Sequence, residues 1–251
     1  AALLKMESPQ RSLEVSQPKQ MPKGDFTAEA FIQLTSLFPD ASVRTIVSQW
    51  NSSKASPGWA LGVTSTKSSH KPRNLILQLT GVPQRGDHGY EVIASNLRPE
   101  LKKPYFVAVS VKFDETGAGK ATFFLSDLST AGGKMQTVTK LFAKNKHYAS
   151  RQAPVIGGRA GITGHSWDGL IDNVRLSSTA LKEDQTLLHG EVARKDTLAF
   201  WKFAKTGFYS DSSPQGNTLE AKGPAPISPA LALLTEYCHV LLNANEFLYL
   251  D

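Results

Sequence analysis

The chain has 251 residues, 40% of them hydrophobic and 20% charged, which is globular composition with room for one large all-β domain or two ordinary ones. No apolar run reaches the ~18 residues of a membrane helix, and one cysteine, Cys238, excludes an internal disulfide framework and a cysteine zinc cluster. The net charge of +6 favours anionic partners, although the Lys and Arg residues are scattered as on an ordinary solvated surface.

The chain opens "AALLKMESPQ". With no initiator Met, basic segment or cleavage site, it reads as a mature or excised fragment without a visible signal peptide. Strand-like segments then follow one another. "FTAEAFIQL" (26–34) puts Phe26, Ala28, Ala30, Ile32 and Leu34 on one face, and "PYFVAVSVKF" (104–113) does the same with Tyr105, Val107, Val109, Val111 and Phe113. Between and after them come "VRTIVSQW" (43–50), "WALGVTS" (59–65), "NLILQLTG" (74–81), "YEVIASN" (90–96), "ATFFLSDL", "QTVTKLFA", "APVIGGRA", "WDGLIDNVRLSS" (167–178) and "LAFWKF" (198–203). The spacers "SSKASPG", "VPQRGDHG", "ETGAGK" and "STAGGK" supply turn residues. Many short strands at regular spacing, with no helix between them, predict a β-sandwich or barrel.

Residues 205–229 are loop and linker in character, rich in Gly, Pro, Ser and Asn. From Ser228 the period changes, with Leu231, Leu234, Cys238, Leu241 and Leu248 at helical spacing, Ser228 able to cap and Pro229 at the first helical position. One C-terminal helix with a broad apolar stripe is expected, and that stripe needs cover from the sandwich or from another chain.

At this point a resemblance is visible. "SLEVSQPKQMPKGDFTAEAFIQL" and "VIGGRAGITGHSWDGLIDNVRLSSTAL" resemble the opening and closing strands of laminin-G-like modules of the concanavalin A-like superfamily, over roughly residues 10–220. The resemblance implies a jelly-roll sandwich of two curved antiparallel sheets. It also implies a permuted chain order. The segment 198–219, which begins "LAFWKFAKTGFYS" and ends "SPQGNTL", usually opens such a module and here comes last. The end of the chain, "LTEYCHVLLNANEFLYLD", resembles the end of large planctomycete multidomain proteins of unknown function, which carry a cytochrome-c-like domain and sometimes a laminin-G-like insert. The expected division is therefore a sandwich over residues 1–222, and a linker and helix over 223–251 that belong to a neighbouring domain of a parent chain. An extracytoplasmic setting, periplasmic or cell-surface, follows from the resemblance alone.

Strict alternation along "WDGLIDNVRLSS" puts Asp172 on the same face as Leu170, Val174 and Leu176, where a carboxylate is costly unless neutralised. The resemblance places the loop 211–217 near this strand. Asp172, Asp211 and Asn217 are therefore the candidate ligands of a structural calcium ion, which takes ~6–8 oxygens. The alternative is an ion pair or hydrogen bonds, for instance from Arg44 or Arg175.

For ligand binding, carbohydrate modules stack sugar faces on aromatics and fix hydroxyls with planar polar groups. Candidates at loops and strand ends are Trp50, Tyr90, His165, Trp167 and Arg159, with Trp59, His88, Lys71, Arg73 and Arg85 behind them; core packing is the competing role for each aromatic, Trp59 and Trp201 above all. Basic neighbours suit carboxylate or sulfate groups. Catalytic patterns are missing. No strand carries the paired carboxylates of a glycosidase; Asp25, Glu29, Glu183 and Asp184 read as solvated acids. Ser166 in "GHSWDG" lacks the nucleophile elbow. The glycines of "GGRAGITG" read as a tight turn or bulge and not as a phosphate cradle. "TEYCH" has Thr235 where haem attachment needs a cysteine, so no haem is expected, and the histidines lack ligand spacing. Basic residues are not interleaved with an aromatic platform, so nucleic acid is not expected as a partner.

The sequence reading is thus a non-catalytic recognition module, for polysaccharide that is anionic or neutral, within a larger exported bacterial protein. The alternatives are a structural insert that docks to the rest of its parent through the C-terminal helix, and a glycoside hydrolase or lyase of the superfamily.

Overall fold

The structure, a computed structural model, describes residues 2–4, 12–39, 41–81, 89–130, 133–143, 148–162, 164–204 and 206–222. The expected C-terminal helix, with Cys238 and His239, lies outside the described residues, as do Arg85 and His88. The described residues form fourteen strands: β1 (Ala2–Leu4), β2 (Ser12–Val15), β3 (Phe26–Leu34), β4 (Val43–Gln49), β5 (Gly58–Thr64), β6 (Leu75–Thr80), β7 (Tyr90–Ala94), β8 (Pro104–Phe113), β9 (Gly119–Asp127), β10 (Gln136–Phe142), β11 (Val155–Ile156), β12 (Gly169–Ser177), β13 (Thr197–Trp201) and β14 (Leu219–Lys222).

They build two seven-stranded sheets. Sheet A runs β1-β12-β3-β8-β9-β10, with β13 also along β12; sheet B runs β14-β2-β11-β4-β5-β6-β7. Every pairing is antiparallel. This is the all-β, concanavalin A-like jelly-roll sandwich expected from the sequence. The last two strands fill places beside the first two: β13 shares β12 with β1, and β14 pairs with β2.

The alternating residues of β3 and β8 point into one continuous core, as their period requires, and meet Trp59, Leu61 and Val63 of β5 and Leu75, Leu77 and Leu79 of β6. The outer face of sheet A is covered as well. Phe106, Ala108, Phe124 and Phe200 pack under Leu187, from the segment between β12 and β13. That segment is tied down by a buried ion pair, in which Arg175 donates to Glu29 and to the carbonyls of Gln185 and Val192, while Glu29 accepts the Leu187 N–H. Burial pushes the Glu29 carboxyl above its usual range, against the pull of Arg175. Glu29 is therefore not the solvated acid the sequence suggests.

One parity is reversed. The register between β12 and β3 shifts between Asp172 and Arg175, and Asn173 has φ 45°. The extra residue of this bulge resets the alternation. Ile171, Val174 and Leu176 all reach the core, and Asp172 is half-buried beside Phe31 of β3 instead of lying among aliphatic side chains.

Candidate functional site

The outer face of sheet B carries a polar and aromatic cluster outside the core. Its geometry starts from β5. "GWALGV" sends Trp59, Leu61 and Val63 into the core and leaves Gly58, Ala60 and Gly62 for the outer face. These three make a trough, walled by β4 on one side and by β6 and β7 on the other. A Cβ on Gly58 would come within 2.7 Å of the Trp50 side chain, and one on Gly62 within 2.5 Å of the Arg44 carbonyl.

Arg159 lies across this trough. It sits at the start of a tight turn, in which Arg159 bridges Ile162 and Gly161 takes φ 67°, as a type II turn requires of its third residue. Its Nε donates to Thr45 Oγ1 of β4 at 3.1 Å, one terminal nitrogen to Ser52 Oγ at 2.8 Å, and the other to Gln78 Oε1 of β6. Reaching from β4 to β6 means spanning two strand spacings, roughly 10 Å, which only small residues on β5 permit. The guanidinium also lies 5.0 Å from the Trp50 ring centroid. Trp50 in turn stacks on Tyr90 of β7, at 5.8 Å and 27°, and the Lys54 ammonium stands 4.9 Å from the Tyr90 ring. Gln78 closes the cluster by donating to the Tyr90 hydroxyl at 2.6 Å. The neighbouring Thr80 hydroxyl is buried with no hydrogen-bond partner among the described residues.

Arg159 is only 4% exposed. Burial pulls its pKa down to about 9, with Tyr90 opposing the shift and Arg44 adding to it.

Of the sequence candidates, Trp50, Tyr90 and Arg159 therefore meet on one face. Trp50 is 2% exposed and already holds Tyr90 and Arg159 against its ring, so it serves as the platform beneath Tyr90 and not as a free stacking surface. His165 borders the cluster: its backbone carbonyl accepts the Thr45 N–H at 2.8 Å, while its ring Nδ1 lies 3.2 Å from the Val43 carbonyl. Trp167 is corrected. It is fully buried in the core, its indole N–H donating to the Leu170 carbonyl, because the glycine turn ahead of it delivers the chain back between the sheets. Trp59 and Trp201 are core residues. Gln78, Ser52, Thr45 and Lys54 were not singled out from the sequence. The available signal was the pairing of small residues on one face of "GWALGV" with Gln78 and Thr80 on the matching face of "LILQLT".

The calcium set divides differently. Asp211 and Asn217 do share a loop. Asp211 Oδ1 accepts the Phe200 and Ser213 N–H groups, and Oδ2 accepts the Asn217 N–H and the Ser213 hydroxyl, at 2.7–2.8 Å. Asn217 accepts the Lys19 N–H, donates to the Leu198 carbonyl, and receives the Trp201 indole N–H on its own carbonyl. The carboxylate sites are thus filled by protein donors, and the set does not fit a calcium ion. Asp211 pairs with Trp201 on the far side of β13 from β12, two strand spacings or roughly 10 Å across from Val174, and Asp172 lies two residues further along β12. The described bond of Asp172 is local, from the Asn173 N–H. Among the described residues, no group of three His, Cys, Asp or Glu is placed to hold a metal.

Of the remaining acids, Glu183 and Asp184 are exposed, as the sequence suggests. Asp25 accepts the Phe113 N–H, and Glu183 and Asp184 lie in a short 3-10 turn (Glu183–Gln185). A separate cleft of about 580 Å³ opens between β7 and the β8–β10 edge, lined by Glu91, Lys112, Phe113, Lys120, Leu141 and Phe142. Its rim carries both signs of charge, and Leu141 is 84% exposed. Among the described residues, no helix is long and apolar enough to cross a membrane.

A laminin-G-type family model, described as the concanavalin A-like lectin/glucanases superfamily, matches residues 8–186. Full-length tailspike protein 2 of Escherichia coli O157:H7 bacteriophage CAB120 is similar over 80% of this chain, with 15% identity and a TM-score of 0.58. This chain spans only 26% of that tailspike. The native heptameric SAP-like pentraxin of Limulus polyphemus is similar over 91% of this chain and 94% of its own, with 13% identity and a TM-score of 0.54. At such identities the likeness is one of fold. No curated protein sequence matches the chain.

Proposed function

The chain belongs to the concanavalin A-like lectin/glucanases superfamily, and we propose that within it this module is a non-catalytic recognition unit that binds polysaccharide on the outer face of sheet B. The observation that carries the reading is the convergence of Tyr90, Trp50, Gln78, Ser52 and Arg159, from widely separated segments, onto one trough of that face. Tyr90 is the half-buried aromatic there. Its ring is held from behind by Trp50 and its hydroxyl by Gln78, so it meets a sugar with little entropy left to lose. Gln78, Ser52 and Arg159 are the planar and hydroxyl groups that can fix sugar hydroxyls beside it. His165 flanks the same face.

A hydrolase or lyase needs paired carboxylates or an acid and base facing one cleft. The cluster has no carboxylate among its described members, which favours binding over catalysis. An exported setting goes with this reading, since that is where extended polysaccharide is met. Residues 223–251 would then tether the module to its parent chain.

The test is affinity electrophoresis of the 251-residue chain against a panel of neutral and acidic polysaccharides, with Tyr90→Ala beside it. Retardation by one class, weakened in the variant, is expected. Retardation by none would leave the structural insert as the reading, with the parent chain as the partner.

A further inference from the structure

We propose that Arg159 is the seat of an acidic group on the ligand, so that the polysaccharide bound at this face is a polyuronate whose carboxylate meets the guanidinium beside Tyr90; this rests on the recognition reading above. The molecule treats two of its buried arginines in opposite ways. Arg175 has a carboxylate, Glu29, directly opposite it in the register, plus two backbone carbonyls. Arg159 has two hydroxyls and one amide oxygen, all neutral, and the face of an indole. A buried charge held only by neutral groups is costly, and a counter-charge recovers much of that cost.

The donor inventory agrees. A guanidinium has five N–H groups. Thr45, Ser52 and Gln78 take three, and Arg159 has no other hydrogen-bond acceptor among the described residues. One N–H remains on each terminal nitrogen, and a planar carboxylate can use such a pair. Lys54 adds a second positive charge above Tyr90, and among the described residues no acid contacts either cation. The rim around Arg159 is the accessible part of the cluster: Ser52 and Tyr90 are half-buried, and Lys54 and Gly161 are exposed. Ser52 holds a left-handed backbone, φ 67°, in the turn after β4. Its hydroxyl is the neutral acceptor nearest solvent and marks the side from which the carboxylate reaches the two remaining N–H groups.

The test compares one polymer with and without its charge. The 251-residue chain is run against polygalacturonate, against the same polymer methyl-esterified, and against dextran sulfate. Polygalacturonate is expected to bind about tenfold or more tightly than the ester, the usual worth of a hydrogen bond to a charged group. Arg159→Gln should bring that ratio to about one. Lys23→Gln removes the same charge from an exposed residue and should leave the ratio unchanged. If the Arg159 variant does not fold, the ester comparison on the unaltered chain decides. Equal binding of acid and ester overturns the assignment while the recognition reading stands. Tighter binding of dextran sulfate than of polygalacturonate overturns the choice of carboxylate. Binding of no polysaccharide, neutral ones included, overturns both.

Discussion

Arg175 and Glu29 face each other directly across the β12–β3 pair, with 2.8 Å between charged atoms and neither side chain exposed. The pair also anchors Gln185, Leu187 and Val192, so it fastens the segment that seals the outer face of sheet A. Removing one partner strands the other charge. Glu29→Ala or Arg175→Ala should each cost about 3–5 kcal/mol in urea unfolding. Replacing both together by Glu29→Leu and Arg175→Met should recover most of that loss, since hydrophobic residues avoid the desolvation that pushes Glu29 up. A double variant no more stable than the singles would show that the backbone bonds to the sealing segment matter more than the charges.

This pair also marks where the sequence stopped being readable. The alternation of β3 and β8 announced the core residue by residue, because that pattern is local. Glu29 and Arg175 are 146 residues apart, and nothing near either one names the other. The bulge at Asn173 was equally hidden: one inserted residue turns Asp172 outward and sends Ile171, Val174 and Leu176 inward together. The candidate site was half legible. Trp50, Tyr90 and Arg159 stood out by residue type at loops and strand ends. Their convergence depends on contacts between segments 81 to 114 residues apart, which spacing along one strand does not encode. Trp167 follows a polar loop much as Tyr90 does, yet the chain turns inward there.

The trough on β5 gives a second prediction. Gly58→Ala places a methyl group 2.6 Å from the Gln49 carbonyl and 2.7 Å from Trp50 Cβ. Backbone cannot swing aside as a long side chain can, so the end of β4 must move and carry Trp50 with it. A loss of about 1–3 kcal/mol is expected, together with a shift in tryptophan emission and weaker polysaccharide retardation through the displaced Tyr90. Unchanged emission would mean that the Trp50–Tyr90 stack does not depend on a bare β5.

The Asp211 loop gives a third. Its carboxylate receives four donors and links β13 to the approach to β14. Asp211→Ala should cost about 2–3 kcal/mol, as expected for hydrogen bonds to a charged acceptor. Asp211→Asn should cost less, because one acceptor oxygen survives. EDTA should leave the melting temperature of the unaltered chain where it is. A fall on chelation, restored by calcium, would return Asp211 and Asn217 to the role of ion ligands.

The last prediction concerns pH. The folded pKa of Arg159, about 9, lies well below the ordinary arginine range. The folded state thus holds fewer protons than the unfolded one between the two, so this group adds stability as pH rises through that window. Acid binding has the opposite sign, since it needs the guanidinium charged. Affinity for polygalacturonate should be level below about pH 9 and then fall by up to tenfold per pH unit, while affinity for the methyl ester stays flat. The other ionisable groups facing Arg159 are Tyr90 of β7, Arg44 of β4 and, across the Tyr90 ring, Lys54. Tyr90 holds the Arg159 pKa up, so Tyr90→Phe should move the break below pH 9, whereas Lys54→Met should keep it near pH 9 and Arg159→Gln should abolish it. A break that moves with Lys54→Met instead would transfer the acid-binding charge from the buried guanidinium to the exposed ammonium.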